Sequence, residues 1–205
     1  MTSEPLPHWD LSNVYPGLES NAFQQAMDEA RNLLDELDVY LAKADLARDG
    51  LVPAEAEALA STMGGYLERM NRAASLVWTL RSYIYSFVAT DSYNTEARRL
   101  MSVLESMQVR LAKQDVLFTG WMGTVARQPV ALEAALAVPG PAAEHAFYLR
   151  EAARQSRYLM TTEEESLAAE LSLSGANAWG KLQGVVASQL KVAFERQGKT
   201  EVLPI

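Results

Sequence analysis

The sequence predicts a mainly α-helical protein, with long antiparallel helices forming a bundle-like lobe and a small β-hairpin at the C-terminal end. Three observations carry this. Apolar residues recur every three to four positions over three long stretches before Pro129. Turn-forming clusters, Arg48-Asp-Gly50 and Thr90-Asp-Ser-Tyr-Asn94, separate those stretches. Beyond Gln189 the apolar period falls to two.

The elements follow in order. Pro5, Pro7, Pro16 and Gly17 punctuate an irregular leader whose Trp9, Leu11, Val14 and Tyr15 are apolar enough to lie on a core. Ser20 or Asn21 is suited to cap a helix, and Phe23, Met27, Ala30, Leu33, Leu34, Leu37 and Leu41 then form one apolar face. Gly50 supplies the expected C-terminal stop. Pro53 stands where a first-turn proline would open the second helix, whose seam of Leu59, Met63, Tyr66, Met70, Ala73, Val77, Leu80, Ile84 and Phe87 runs for roughly ten turns. Gly64 and Gly65 would let a neighbouring backbone approach closely. A third helix carries Leu100, Leu104, Met107, Leu111 and Phe118 and ends before Pro129, and a short one spans Val130 to Ala137.

Pro139-Gly-Pro141 is the sharpest breaker, so a boundary is expected there: residues 1–138 as leader and long-helix bundle, 139–205 as helical segment and terminal hairpin. Ala142 to Tyr158 reads as one helix. Thr162-Glu-Glu-Glu165 has capping-box spacing, with the threonine oxygen accepting from an amide and Glu165 reaching back. A second helical run, Ala178 to Ser188, follows, with Trp179 expected to pack. Leu190, Val192 and Phe194 then alternate with polar or small residues, Gln197-Gly198 suits a two-residue turn, and Lys199 to Leu203 would pair back. An isolated hairpin is marginal in water, so it needs a surface that the sequence does not supply.

Composition narrows the function. With 205 residues and 49% hydrophobic side chains, the chain can build a substantial core. Against 18 Lys and Arg stand 26 Asp and Glu, and the net charge of -8 disfavours a phosphate backbone as partner. The absence of cysteine rules out disulfides, thiolate metal sites and a thiol nucleophile, and fits a cytoplasmic protein. Residues 1–8 have neither a basic nor an apolar signal region, and Ala73 to Ala89 carries Arg81 at its centre, so neither secretion nor a membrane partner is expected.

Catalytic chemistry is scarce. His8 and His145 are the only histidines, and the position four after His145 is Leu149, so no H-E-x-x-H helix can form. Ser174-Gly175 lacks the flanks of a nucleophile elbow, and Ser174 or Asn177 is better suited to capping a helix. Glu163 and Glu164 complement the positive end of a helix dipole. Arg150, Arg154 and Arg157 form a stripe that suits a solvated surface or the docking of another domain. Trp78, Tyr83, Tyr85, Phe87 and Tyr93 would either line a peptide-binding wall or bury a helix between two neighbours; the accompanying Leu, Val and Ile favour burial. No catalytic, cofactor or metal residue is assigned within the chain.

Three stretches resemble a known family: Trp9-Asp-Leu-Ser-Asn-Val-Tyr-Pro-Gly17, the run from Tyr83 to Arg98, and Thr161-Thr-Glu-Glu-Glu165 through Ser174-Gly-Ala-Asn-Ala-Trp179. Together they resemble the amino-terminal region of oligoendopeptidase F, a mainly helical zinc metallopeptidase similar to thimet oligopeptidase. The resemblance implies hydrolysis of short peptides in a channel between two lobes. It also implies a zinc held by H-E-x-x-H and a downstream glutamate, all beyond the region matched here. The chain is then expected to be an inactive helical lobe whose hairpin leads toward a catalytic domain of the same polypeptide. The alternative is a stand-alone helical protein-interaction module.

Overall fold

The computed structural model describes residues 10–196 and 199–204. The predicted turn at Gln197-Gly198, and Trp9 and His8 of the leader, lie outside the described residues. The described part is mainly helical.

Helix α1 spans Asn21–Lys43, and Ser20 caps it by accepting a hydrogen bond from the Phe23 amide at 3.3 Å. It stops well before Gly50. The Leu46 amide donates to the Leu41 carbonyl and the Asp45 amide to that of Ala42, with Asp45 in the left-handed region at φ 52°. This is a Schellman ending with aspartate in the place usually taken by glycine, and buried Leu41 and Leu46 supply its apolar contact. Gly50 instead lets the following loop fold onto itself, since a Cβ there would lie 1.9 Å from the Asp45 carbonyl oxygen.

Helix α2 spans Ala56–Thr90 with Glu55 at its N-cap, so Pro53 precedes the helix instead of opening it. Helix α3, Thr95–Val125, is capped by the Asn94 side chain on the Ala97 amide. Pairings along the helices fix their directions. Phe23 meets Tyr83 and the Tyr40 hydroxyl donates to the Thr62 carbonyl, so α1 and α2 run antiparallel. Tyr66 stacks on Phe118 at 3.6 Å, while the ends of α2 and α3 meet at residues 91–94, so these two also run antiparallel. The close approach expected at the two glycines takes different forms: Gly64 faces Pro141 and the Ala142 amide, whereas Gly65 lies under a side chain, the Tyr40 ring, instead of a backbone.

Two apolar clusters sit along this three-helix frame. One joins Phe23, Leu34, Val77, Tyr83, Ile84 and Leu104 with Leu18 of the leader; the other joins Leu37, Leu59, Tyr66, Phe118 and Trp121 with Leu132, Leu136, Ala142 and Leu149. Met70 of α2 touches both. Helix α4 spans Pro129–Leu136 and α5 spans Pro141–Glu144. Both pack against α2, so the core runs continuously across the Pro139–Pro141 turn where a boundary was expected.

The predicted helix from Ala142 to Tyr158 is broken. After α5 the chain bends at His145, continues as α6, Ala146–Gln155, and tightens to a 3-10 turn over Ser156–Tyr158. Leu149 enters the core, whereas Phe147 and Tyr158 face solvent. Helix α7, Thr162–Ser174, and α8, Ala176–Gln189, follow, then strands β1, Lys191–Arg196, and β2, Lys199–Pro204. The strands pair antiparallel with Val192 opposite Leu203 and Phe194 opposite Glu201.

Candidate docking face

The capping box that opens α7 is set one residue earlier than its sequence spacing suggested. Thr161 accepts from the Glu164 amide, and Glu164 accepts from the Thr161 amide at 2.9 Å. Both registers of the Thr-Thr-Glu-Glu-Glu run satisfy the motif. What separates them is Glu165, which turns back to accept from the Met160 amide at 3.1 Å and ties the incoming segment to the first turn.

Polar contacts hold α7 and α8 to the frame. Lys113 of α3 pairs with Glu170 at 2.6 Å, Lys181 pairs with Glu105 at 2.6 Å, and the Arg48 guanidinium donates to the Met160 carbonyl at 2.9 Å. None of the described side chains of α7 or α8 is buried. Leu167 and Leu171 of α7, then Trp179, Leu182 and Val186 of α8, lie at helical spacing and are all exposed. Leu190, just before β1, and Val192 and Phe194, which share one face of that strand, are exposed as well. Trp179 is 71% exposed, which overturns its expected packing. Amphipathic spacing gives α8 an apolar stripe, but the neighbours it has in this chain meet it through α7 and through the polar tips of α3.

Elsewhere the residues raised by the sequence fall into structural roles. His145 and Glu144 are exposed at the bend between α5 and α6. Ser174 ends α7 with its hydroxyl turned back to the Leu171 carbonyl, and Asn177 lies inside the first turn of α8, whose N-cap is Gly175 and which has no side-chain cap. Arg150 makes a bidentate pair with Glu133 of α4, and Arg154 makes one with Glu151. The aromatic group divides: Tyr83 and Phe87 pack with Tyr15 and Phe23, while Trp78, Tyr85 and Tyr93 face solvent. Among the described residues no three His, Cys, Asp or Glu side chains are placed to share a metal, and no helix is long and apolar enough to cross a membrane.

One polar cluster went unforeseen. The hydroxyls of Tyr66 and Tyr148 both donate to Asp115 Oδ1, each at 3.0 Å, fastening α6 to α2 and α3. Burial, and next the nearby Asp115 charge, push both phenols above their ordinary range. A phenol whose folded pKa is raised contributes its stability in full below about pH 10 and loses it as pH climbs further. The urea midpoint is therefore expected to be equal at pH 7 and pH 9 and lower at pH 11, with Tyr66→Phe shrinking that drop.

A family model matches this part of the chain. Residues 131–191 match the amino-terminal peptidase M3 family model, oligopeptidase F. The match runs from α4 to the first residue of β1 and includes the Thr161 to Trp179 motif; it leaves out the leader and the three long helices. The resemblance seen in the sequence is thus supported on its C-terminal portion, and the oligopeptidase F segment contains most of the exposed apolar stripe. No curated protein and no solved structure matches the chain.

Proposed function

We propose that this chain is the helical amino-terminal lobe of a zinc-dependent oligopeptidase that hydrolyses short peptides, and that its α7–α8–hairpin face seats the catalytic domain of the same polypeptide. The observation that carries the reading is a coincidence of position. The segment matching oligopeptidase F contains Leu167, Leu171, Trp179, Leu182, Val186 and Leu190, apolar side chains of its C-terminal half that the described residues leave exposed.

In this reading the lobe walls one side of the substrate channel, and its rigid helices admit short peptides while excluding folded chains. In the same reading the metal and the base that activates water belong to residues outside this chain. The isolated chain is then inactive, and the full polypeptide works in the cytoplasm.

The proposal is tested by a peptidase assay on two samples: the chain alone, and a polypeptide that joins it to an H-E-x-x-H domain from its own reading frame. Zinc-dependent cleavage of an unstructured octapeptide is expected only from the second. Cleavage by the chain alone, or a reading frame with no such motif, would overturn the proposal. The competing reading, a helical interaction module, draws on the same face and would gain from the second outcome.

A further inference from the structure

We infer that the groove between α1 and α2 binds a small zwitterion, of the length of a tripeptide with free termini. The groove has a volume of about 780 Å³ and is lined by Asp35, Glu36, Val39, Tyr40, Lys43 and Arg69 among others. Its charges are sorted along α1. The carboxylates of Asp35 and Glu36 stand at one end and the Lys43 ammonium at the other, with exposed Val39 between them.

Arg69 supplies the decisive group. Its guanidinium lies over the Tyr40 ring, 4.2 Å from the centroid, and Nη1 donates to the Gly65 carbonyl at 2.8 Å. Tyr40 is itself fixed, since its hydroxyl donates to the Thr62 carbonyl at 2.9 Å and its ring covers Gly65. Stacking therefore positions a guanidinium that retains most of its five N–H groups for another acceptor. Among the described residues neither Arg69 nor Lys43 pairs with a carboxylate, whereas nine other ion pairs are formed. Asp35 is engaged by Arg110, which leaves Glu36 as the unpaired carboxylate of the groove among the described residues.

Spacing sets the ligand's size. From Glu36 to Lys43 the rise along α1 is about 10 Å at 1.5 Å per residue, and an extended tripeptide spans about the same distance. A carboxylate would take the Arg69 fork and Lys43, an ammonium would face Glu36, and a central apolar side chain would rest on Val39. This site does not depend on the peptidase reading, because it concerns binding by this chain alone, without hydrolysis.

The probe is Ala-Leu-Ala, titrated into the 205-residue chain and followed by amide chemical shifts, beside its N-acetylated and C-amidated forms. Shifts confined to the groove are expected, with affinity at least about fivefold weaker when either terminus is blocked, the size of a partly exposed charge contact. Arg69→Met keeps the aliphatic stem over Tyr40 and is expected to weaken the free peptide as much, and Glu36→Gln to remove only the advantage of the free amine. Arg99→Met, which breaks a pair with Glu96 elsewhere, is the control and should bind as the parent does. Equal binding of free and blocked peptides, absence of binding, or full affinity in Arg69→Met would each overturn the proposal. Acetate competing as well as the peptide would also overturn it, by reducing the groove to a simple anion site.

Discussion

Trp121→Ala is expected to cost the chain about 3–5 kcal/mol, the range for removing a buried aromatic side chain. Trp121 is 0% exposed, lies between Phe118 and the α4–α6 layer, and donates its indole N–H to the Leu51 carbonyl at 3.1 Å. The substitution removes apolar area, opens a cavity and orphans that carbonyl together. With a urea slope of about 2 kcal/mol per M, the midpoint should fall by about 1.5–2.5 M. A shift below about 0.5 M would mean that the α4–α6 layer does not rest on this side chain.

The second large effect concerns the other tryptophan of the C-terminal half. Trp179→Asp together with Leu182→Asp should leave the isolated chain's stability within about 0.5 kcal/mol of the parent, as for exposed positions in general. In a polypeptide that also carries the catalytic domain, the same pair should reduce peptide hydrolysis at least about tenfold, because burying two carboxylates in an apolar interface is costly. Trp179 is 71% exposed and Leu182 is 50% exposed, so the isolated chain has little to lose there. Undiminished hydrolysis would show that this face does not seat the catalytic domain. Loss of stability in the isolated chain would instead give Trp179 the packing role its sequence context suggested.

These two tryptophans also mark what periodicity can and cannot convey. Spacing identified α1, α2 and α3 and the seam residues that fill them, since a helix must turn its apolar stripe toward something. It does not say whether that something lies in the same chain. Leu182 and Val186, one turn beyond Trp179, obey the same four-residue spacing as Leu80 and Ile84, yet only the latter are covered. The ends of elements were less legible for a local reason. Two overlapping Thr-x-x-Glu registers fit the start of α7, and the choice between them is made by Glu165 bonding to the Met160 amide. Asp45 ended α1 because its backbone could enter the left-handed region well ahead of Gly50, the stop that sequence reasoning favours.

The groove was invisible in the sequence for a different reason. Tyr40 and Arg69 belong to separate helices, and their stacking depends on Gly65 leaving space for the ring. The Tyr66–Asp115–Tyr148 cluster likewise gathers three elements, and nothing in the spacing of any one of them announces the other two.

Helix α2 contributes side chains to both apolar clusters, and Met70 lies at the point where they meet. No stretch of this helix can therefore be released to solvent while one cluster stays intact and the other dissolves. The consequence is cooperativity: the leader end and the α4–α6 end melt as one body, and hydrogen exchange along the middle of α2 reports the opening of the entire lobe.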